Sequence, residues 1–185
     1  MKKRVFIAIN LPESVRTELG KLLLLCKKIN SRPVIHYVKT KGIHLTLHFL
    51  GYLSDEQIEQ VKEILKNQAK NYQKTELITG PIGGFPNLKQ PRVIFLASQE
   101  TGDNTLANLQ KKLGQELEKI GLTVDHRIWQ PHLTFARIVG PCVFKTQNLE
   151  IPKLKIPVNS IELMESQLLG SGAEYKILAS YTLKT

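Results

Sequence analysis

His44 and Thr46 stand two residues apart in Ile43-His44-Leu45-Thr46-Leu47-His48-Phe49-Leu50-Gly51, and the same spacing returns in Pro131-His132-Leu133-Thr134-Phe135-Ala136-Arg137. An imidazole with an ordinary pKa of ~6.5 both gives and takes a proton near neutral pH, so two histidines facing one space suit concerted acid-base chemistry. Each such transfer is typically worth ~10²- to 10⁴-fold in rate. A threonine two residues along a strand lies ~6.7 Å from its histidine, at ~3.3 Å per residue. Two such hydroxyls can bond separate non-bridging oxygens of a phosphate between the imidazoles and stabilise the charge that grows at phosphorus.

The element that must position these groups is a β-strand, whose alternate side chains share a face. The alternation places His44 and Thr46 on one face, with Leu45, Leu47 and Phe49 on the other. It likewise separates His132 and Thr134 from Leu133 and Phe135. One His-Thr pair alone is most simply a structural feature, because short motifs carry little specificity. Two copies, each opposite an apolar face, are hard to explain as packing. His48 shares the parity of His44 and is expected at the cleft rim, ~13 Å further along the strand, too far to join it on one metal. A helical segment would bring the two to metal-binding spacing, but Leu45 stands where a metalloprotease glutamate belongs, so no metal site is expected. His36 and His126 read as surface or turn residues, and Trp129 as a packing residue.

Around the two motifs the chain repeats its order of elements. Val5 to Ile9 reads as a buried strand, and Pro12 suits the first turn of the helix that follows. That helix carries Val15, Leu19, Leu22, Leu23, Cys26 and Ile29 at helical spacing to about residue 29, where Ser31-Arg32-Pro33 breaks it. Val34 to Val38 is a short strand leading to the first His-Thr strand. Ser54 and Gln57 form a capping box for a second helix with Ile58, Val61, Ile64, Leu65 and Ala69 on its apolar stripe. Glu76 to Ile82 is a strand ending in Gly83-Gly84-Phe85-Pro86-Asn87, which has loop chemistry; no Gly-Lys-Ser/Thr follows, so a phosphate-cradling loop is not expected. Arg92 to Ala97 is a strand, and Leu106, Leu109, Leu113, Leu117 and Ile120 stripe a helix capped by Gly121 before the second His-Thr strand. An offset of 88 carries Phe6 to Ile94 and His44 to His132. Ser160 to Leu168 and Tyr175 to Leu183 form a terminal hairpin turned by Gly170-Ser171-Gly172. With no linker between the halves, residues 1–185 are expected to form one compact two-lobed unit.

A net charge of +10 over 185 residues favours a polyanionic partner, with a basic solubility surface as the plain alternative. The two cysteines make neither a disulfide framework nor a zinc cluster, which points to a reducing, cytoplasmic setting. Met1-Lys2-Lys3-Arg4 resembles a signal-peptide start, but the apolar run after it ends at Asn10. No stretch approaches the ~20 apolar residues of a membrane span.

Taken together these residues carry a family resemblance. The segments Arg4-Val5-Phe6-Ile7-Ala8-Ile9 with Leu11-Pro12, His44-Leu45-Thr46-Leu47 with Phe49-Leu50-Gly51, Gly84-Phe85, Pro91-Arg92-Val93, Pro131 to Arg137, and Ser166-x-Leu168 before Tyr175 resemble the 2H phosphoesterases. The resemblance is to the RNA 2′,3′-cyclic phosphodiesterase branch, also called 2′-5′ RNA ligase, and covers nearly the whole chain. It implies an α/β (α+β) bilobal fold, two pseudo-twofold-related lobes with antiparallel sheets flanking a central cleft and helices outside. It also implies cofactor- and metal-independent hydrolysis of an RNA terminal 2′,3′-cyclic phosphate to a 2′-phosphate, with 2′-5′ joining as the reverse. By that likeness His44 is the proton donor, His132 the proton acceptor, and Thr46, Thr134 and Arg137 bind the substrate phosphate. Arg137 conflicts with the alternation, having the parity of Leu133; it reaches the site only if the strand ends or bulges before it. Tyr37 stands where many relatives have tryptophan, which leaves open which residue stacks on the base. The remaining readings are a non-catalytic nucleotide- or RNA-binding module on the same fold, and a phosphodiesterase acting on cyclic ADP-ribose phosphates, another small cyclic nucleotide or RNA 3′ ends. Binding alone does not require two titratable groups placed to exchange protons. A monomer without membrane association is expected.

Overall fold

The computed structural model describes residues 2–170 and 172–185; Met1 of the basic start and Ser171 of the expected terminal turn lie outside the described residues. In chain order the elements are β1 (Lys3–Asn10), α1 (Glu13–Ile29), β2 (Ile35–Tyr37), a single 3-10 turn (Thr40–Gly42), β3 (His44–Leu53), α2 (Asp55–Ala69), β4 (Thr75–Phe85), β5 (Val93–Glu100), α3 (Thr105–Lys119), β6 (His132–Ile138), β7 (Lys155–Val158), β8 (Ser160–Leu169) and β9 (Gly172–Thr182).

The strands pair antiparallel in the order β7-β4-β5-β6-β3-β1-β8-β9, with β2 added against β6. The order is symmetric about its middle: β6 answers β3, β5 answers β1, and α1 and α3 each cross from a flanking strand to a central one. The two central strands meet in one recorded pair, Leu45 opposite Leu133, and β2 adds three more across the halves, Ile35 with Ile138, His36 with Arg137 and Tyr37 with Ala136. This is the expected bilobal arrangement of antiparallel strands and outer helices, with the lobes fused along a seam where β3 and β2 meet β6. The repeat is offset by 88 on the central strands, His44 to His132. On the flanking strands it is 87, because Ile7 opposite His48 corresponds to Ile94 opposite Ala136.

Each helix buries most of the stripe that its sequence spacing defines; Ile29, at the end of α1, is exposed, and Ile120 lies past the end of α3 and is partly buried. In α1 the buried residues are Val15, Leu19, Leu22, Leu23 and Cys26, so the run Leu22 to Leu25 splits into two buried and two exposed leucines. The Ser54 side chain accepts from the Gln57 N–H at 3.2 Å, and Gln57 Oε1 accepts from the Ser54 N–H at 3.0 Å, completing the capping box of α2. Asn104 gives α3 no side-chain cap; Glu100, at the end of β5, accepts from Leu106 N at 2.8 Å instead. Leu19, Leu45, Leu65, Leu96, Leu113 and Phe135 are fully buried in one cluster that draws on both halves.

The glycine-rich stretch departs from expectation. Gly83, Gly84 and Phe85 are the last residues of β4, paired with Phe95, Ile94 and Val93, rather than a loop. Gly83 is there for clearance: a Cβ on it would lie 2.4 Å from the Phe95 ring, which stacks on Phe85 at 4.3 Å between centroids. Glycine's usual cost in a strand is offset by the room it gives that ring.

Candidate active site

β3 and β6 carry β-bulges at matching places. On β3, Ala8 pairs with Thr46 and Ile7 with His48, leaving Leu47 as an extra residue; on β6, Phe95 pairs with Thr134 and Ile94 with Ala136, leaving Phe135. An inserted residue inverts the alternation of everything beyond it. His48 therefore points toward the helices, 5% exposed, with Nε2 2.8 Å from the Gln110 carbonyl of α3. It does not line the cleft rim as its parity predicted. Phe49 turns the other way and is 61% exposed, not core. Gln110 also donates to the carbonyl of the bulged Leu47 at 3.4 Å, clasping the bulge from behind.

The second bulge removes the parity conflict at Arg137. Beyond Phe135, Ala136 is buried and Arg137 exposed, on the face that carries His132 and Thr134. Its guanidinium is close enough to depress the pKa of both His44 and His132. Arg137 and Phe49 occupy equivalent places in the repeat, a cation in one half and an exposed ring in the other.

His44 and Thr46 flank Leu45, and His132 and Thr134 flank Leu133, so the seam pair brings all four polar side chains together about the pseudo-twofold. The imidazoles are held alike. His44 Nδ1 lies 2.8 Å from the Gly42 carbonyl and His132 Nδ1 lies 2.7 Å from the Gln130 carbonyl, each two residues upstream. A carbonyl oxygen only accepts, so both Nδ1 atoms carry the proton of the neutral ring and Nε2 is the nitrogen left to exchange protons. Aromatic rings fix the planes: Phe6 and Tyr175 about His44, at 4.8 and 4.9 Å between centroids, and Phe85 and Phe95 about His132, at 5.1 and 5.2 Å.

Burial is the leading influence on both histidines and disfavours the imidazolium. It takes His44 down to about 4, opposed by the bond to Gly42 and assisted by the positive charges of Arg16, His132 and Arg137. His132 is also lowered, chiefly by burial and further by Arg137, against the bond to Gln130. Both rings are therefore neutral at pH 7 in the free protein, and an anion placed between them raises both pKa values.

Several supporting residues carry no motif in the sequence. Arg16 donates to the carbonyls of Leu11 and Lys41, pinning the 3-10 turn whose last residue, Gly42, anchors His44. Glu162 is 3% exposed and accepts from Asn10 N at 3.0 Å and from the hydroxyls of Ser160 and Ser180, holding the end of β1 that pairs with His44. Trp129 is a packing residue as expected, and its Nε1 donates to the Thr46 carbonyl at 3.0 Å, tying the approach to β6 onto β3. His36 is exposed, and His126 lies at the surface 3.2 Å from Glu118.

A bilobal antiparallel sheet with a His-x-Thr pair on each of its two central strands is the arrangement that defines the two-histidine phosphoesterases. Comparison with known proteins narrows this class. The sequence profile of the 2′-5′ RNA ligase superfamily matches residues 36–168, and the chain belongs to that family. An RNA 2′,3′-cyclic phosphodiesterase of Methanothermobacter thermautotrophicus is 26% identical, over 99% of this chain and 100% of its own. One from Aquifex aeolicus is 30% identical, over 85% of this chain and 86% of its own. Among solved structures, TT0787 of Thermus thermophilus superposes with a TM-score of 0.82 at 26% identity, covering 97% of both chains. E. coli LigT complexed with 3′-AMP shares the fold, with a TM-score of 0.79 at 22% identity over the full length of both.

Proposed function

We propose that the protein is an RNA 2′,3′-cyclic phosphodiesterase that opens the terminal cyclic phosphate to a 2′-phosphate by two-histidine acid-base catalysis. The observation that carries this reading is the matched pair of imidazoles, each with Nδ1 spent on a carbonyl and Nε2 left for the shared cleft. In the reaction His132 Nε2 takes a proton from water as its oxygen attacks phosphorus. The bond to the 3′ oxygen breaks, and His44 Nε2 delivers a proton to that oxygen. The product is a 2′-phosphate and a free 3′-hydroxyl, with one proton moved from His44 to His132 and the pair reset by exchange with water. Thr46, Thr134 and Arg137 hold the non-bridging oxygens. With a 5′-hydroxyl in place of water, the same displacement of the 3′ oxygen makes a 2′-5′ bond, in keeping with the family's name.

The test is to incubate the protein with a short RNA ending in a 2′,3′-cyclic phosphate in excess EDTA and to locate the product phosphate by NMR or phosphatase mapping. A 2′-phosphate is the expected product; a 3′-phosphate overturns the choice of leaving oxygen, and tight binding without turnover favours the binding-module alternative. Thr46→Ala and Thr134→Ala are each expected to lower kcat/KM by roughly 10- to 100-fold, the ~1.5 to 3 kcal/mol of a hydrogen bond to a charged group.

Residues 1–185 are read as one functional unit, supported by a core cluster that spans both halves, and a monomer is proposed with it. No helix among the described residues is long and apolar enough to cross a membrane. Buried free Cys26 and Cys142 support the cytoplasmic setting.

A further inference from the structure

Two hollows meet at a wall made of Lys41, Gly42 and Tyr175. The first, of about 270 Å³, contains His44 and is lined by Arg16, Met164, Tyr175 and Ile177 among others. The second, of about 300 Å³, lies across the wall and is lined by His36, Tyr37, Lys39, Lys41, Arg137 and Glu174 among others. They adjoin closely, since Gly42 supplies the carbonyl that anchors His44 and the Tyr175 ring lies 4.9 Å from the imidazole.

The charges of the two hollows differ in how they are used. Arg16, in the first, is committed to the carbonyls of Leu11 and Lys41 and to Asn10 Oδ1. In the second, the single carboxylate, Glu174, is paired with Lys39 at 3.8 Å. Arg137 and the Lys41 ammonium have no acidic side chain against them among the described residues, so the hollow keeps a net positive charge. Its walls also carry two aromatic rings. Tyr37 is fixed by bonds from its hydroxyl to the Cys26 and Asn30 carbonyls, at 3.1 and 3.3 Å, and Lys27 lies over its ring at 5.5 Å; Tyr175, edge-on to Phe6 and His44, is the second. Uncompensated cations beside aromatic faces are what proteins present to a single-stranded nucleic acid, with charge for the backbone and rings for the bases.

We propose that this second hollow is a subsite for the RNA upstream of the reacting end. It takes the phosphate that links the terminal nucleotide to its neighbour, with Lys41, which lines both hollows, as the principal contact and Arg137 beside it. The inference rests on the phosphodiesterase reading and deepens it. It makes the protein selective for a chain with at least one internucleotide phosphate over a nucleoside 2′,3′-cyclic phosphate, which ends before the hollow begins.

The experiment compares kcat/KM for adenosine 2′,3′-cyclic phosphate with that for a trinucleotide ending in the same group, using wild type and Lys41→Ala at several salt concentrations. Wild type is expected to favour the trinucleotide by roughly 10- to 100-fold, as for a charged hydrogen bond. Lys41→Ala should lower the trinucleotide rate about tenfold or more beyond any loss on the mononucleotide, to which Lys41 is exposed only through its share of the first hollow. For the trinucleotide alone it should make the slope of log kcat/KM against log salt shallower, by roughly the 0.7 that one phosphate contributes on a single strand. Equal use of both substrates by wild type, or an equal loss on both in the variant, overturns the subsite and leaves the phosphodiesterase reading in place. Turnover of neither substrate overturns both.

Discussion

Replacing either histidine with alanine is expected to lower kcat/KM for a cyclic-phosphate RNA by roughly 10²- to 10⁴-fold, the value of one positioned proton transfer. On the proposed roles, His44→Ala loses the proton for the departing 3′ oxygen, and His132→Ala loses the base that activates water. The double variant should be little worse than the poorer single one, because groups that act as a unit are not additive. Both side chains lie at the cleft, with Leu45 and Leu133 rather than the imidazoles filling the core behind them, so each variant should keep the circular dichroism spectrum of wild type. Folded variants with wild-type rates would remove the acid-base assignment.

The pH dependence is the second large effect. The reacting form carries one proton between the two imidazoles, one ring protonated and the other neutral. In the free protein His44 is lowered to about 4 and His132 is lowered from 6.5, so above pH 6.5 both rings are predominantly neutral. The singly protonated form then falls tenfold per pH unit, and kcat/KM, which reports the free enzyme, falls with it. Between pH 7 and pH 9 the expected loss is roughly 100-fold, with the maximum of the bell on the acid side of 6.5. The kcat profile should lie at higher pH, because the bound phosphate anion favours the imidazolium. A kcat/KM profile that is flat or rising from pH 7 to pH 9 would show that neither ring supplies the proton.

The stability consequence has the same origin. An unfolded His44 takes up its proton near 6.5 while the folded one resists until about 4, so over that window the unfolded chain binds more protons. Stability is then fully present above 6.5 and declines as pH falls toward 4.

Much of this was legible in the sequence because it rests on short-range periodicity. The stripes of α1, α2 and α3, the capping box at Ser54, and the faces of Leu45 and Thr46 or Leu133 and Thr134 all follow from spacing that local geometry enforces. His48, Phe49 and Arg137 lay beyond that reach. Their directions depend on bulges created by pairing with β1 and β5, at Leu47 and Phe135, and neither residue is a glycine or proline that marks an interruption. Gly83 and Gly84 gave a loop signal because glycine is common in turns, whereas the distant Phe95 ring requires the small residue at Gly83. The carbonyls of Gly42 and Gln130 were invisible for a simpler reason: every residue has one, and only the fold selects which two meet the imidazoles.

The matching of those two carbonyl anchors has a consequence for direction. Each imidazole is offered the same tautomer, a carbonyl two residues upstream and an aromatic enclosure, so the anchors by themselves assign neither ring as donor or acceptor. On the proposed chemistry, the sense of the reaction is imposed from outside the pair, by which way round the ester lies between them. What distinguishes the two orientations is the mismatch of the repeat at Arg137 and Phe49: one end of the cleft attracts an anion and the other presents an uncharged ring. On that reading the pair of anchors is ambidextrous, and the reaction borrows its handedness from the substrate.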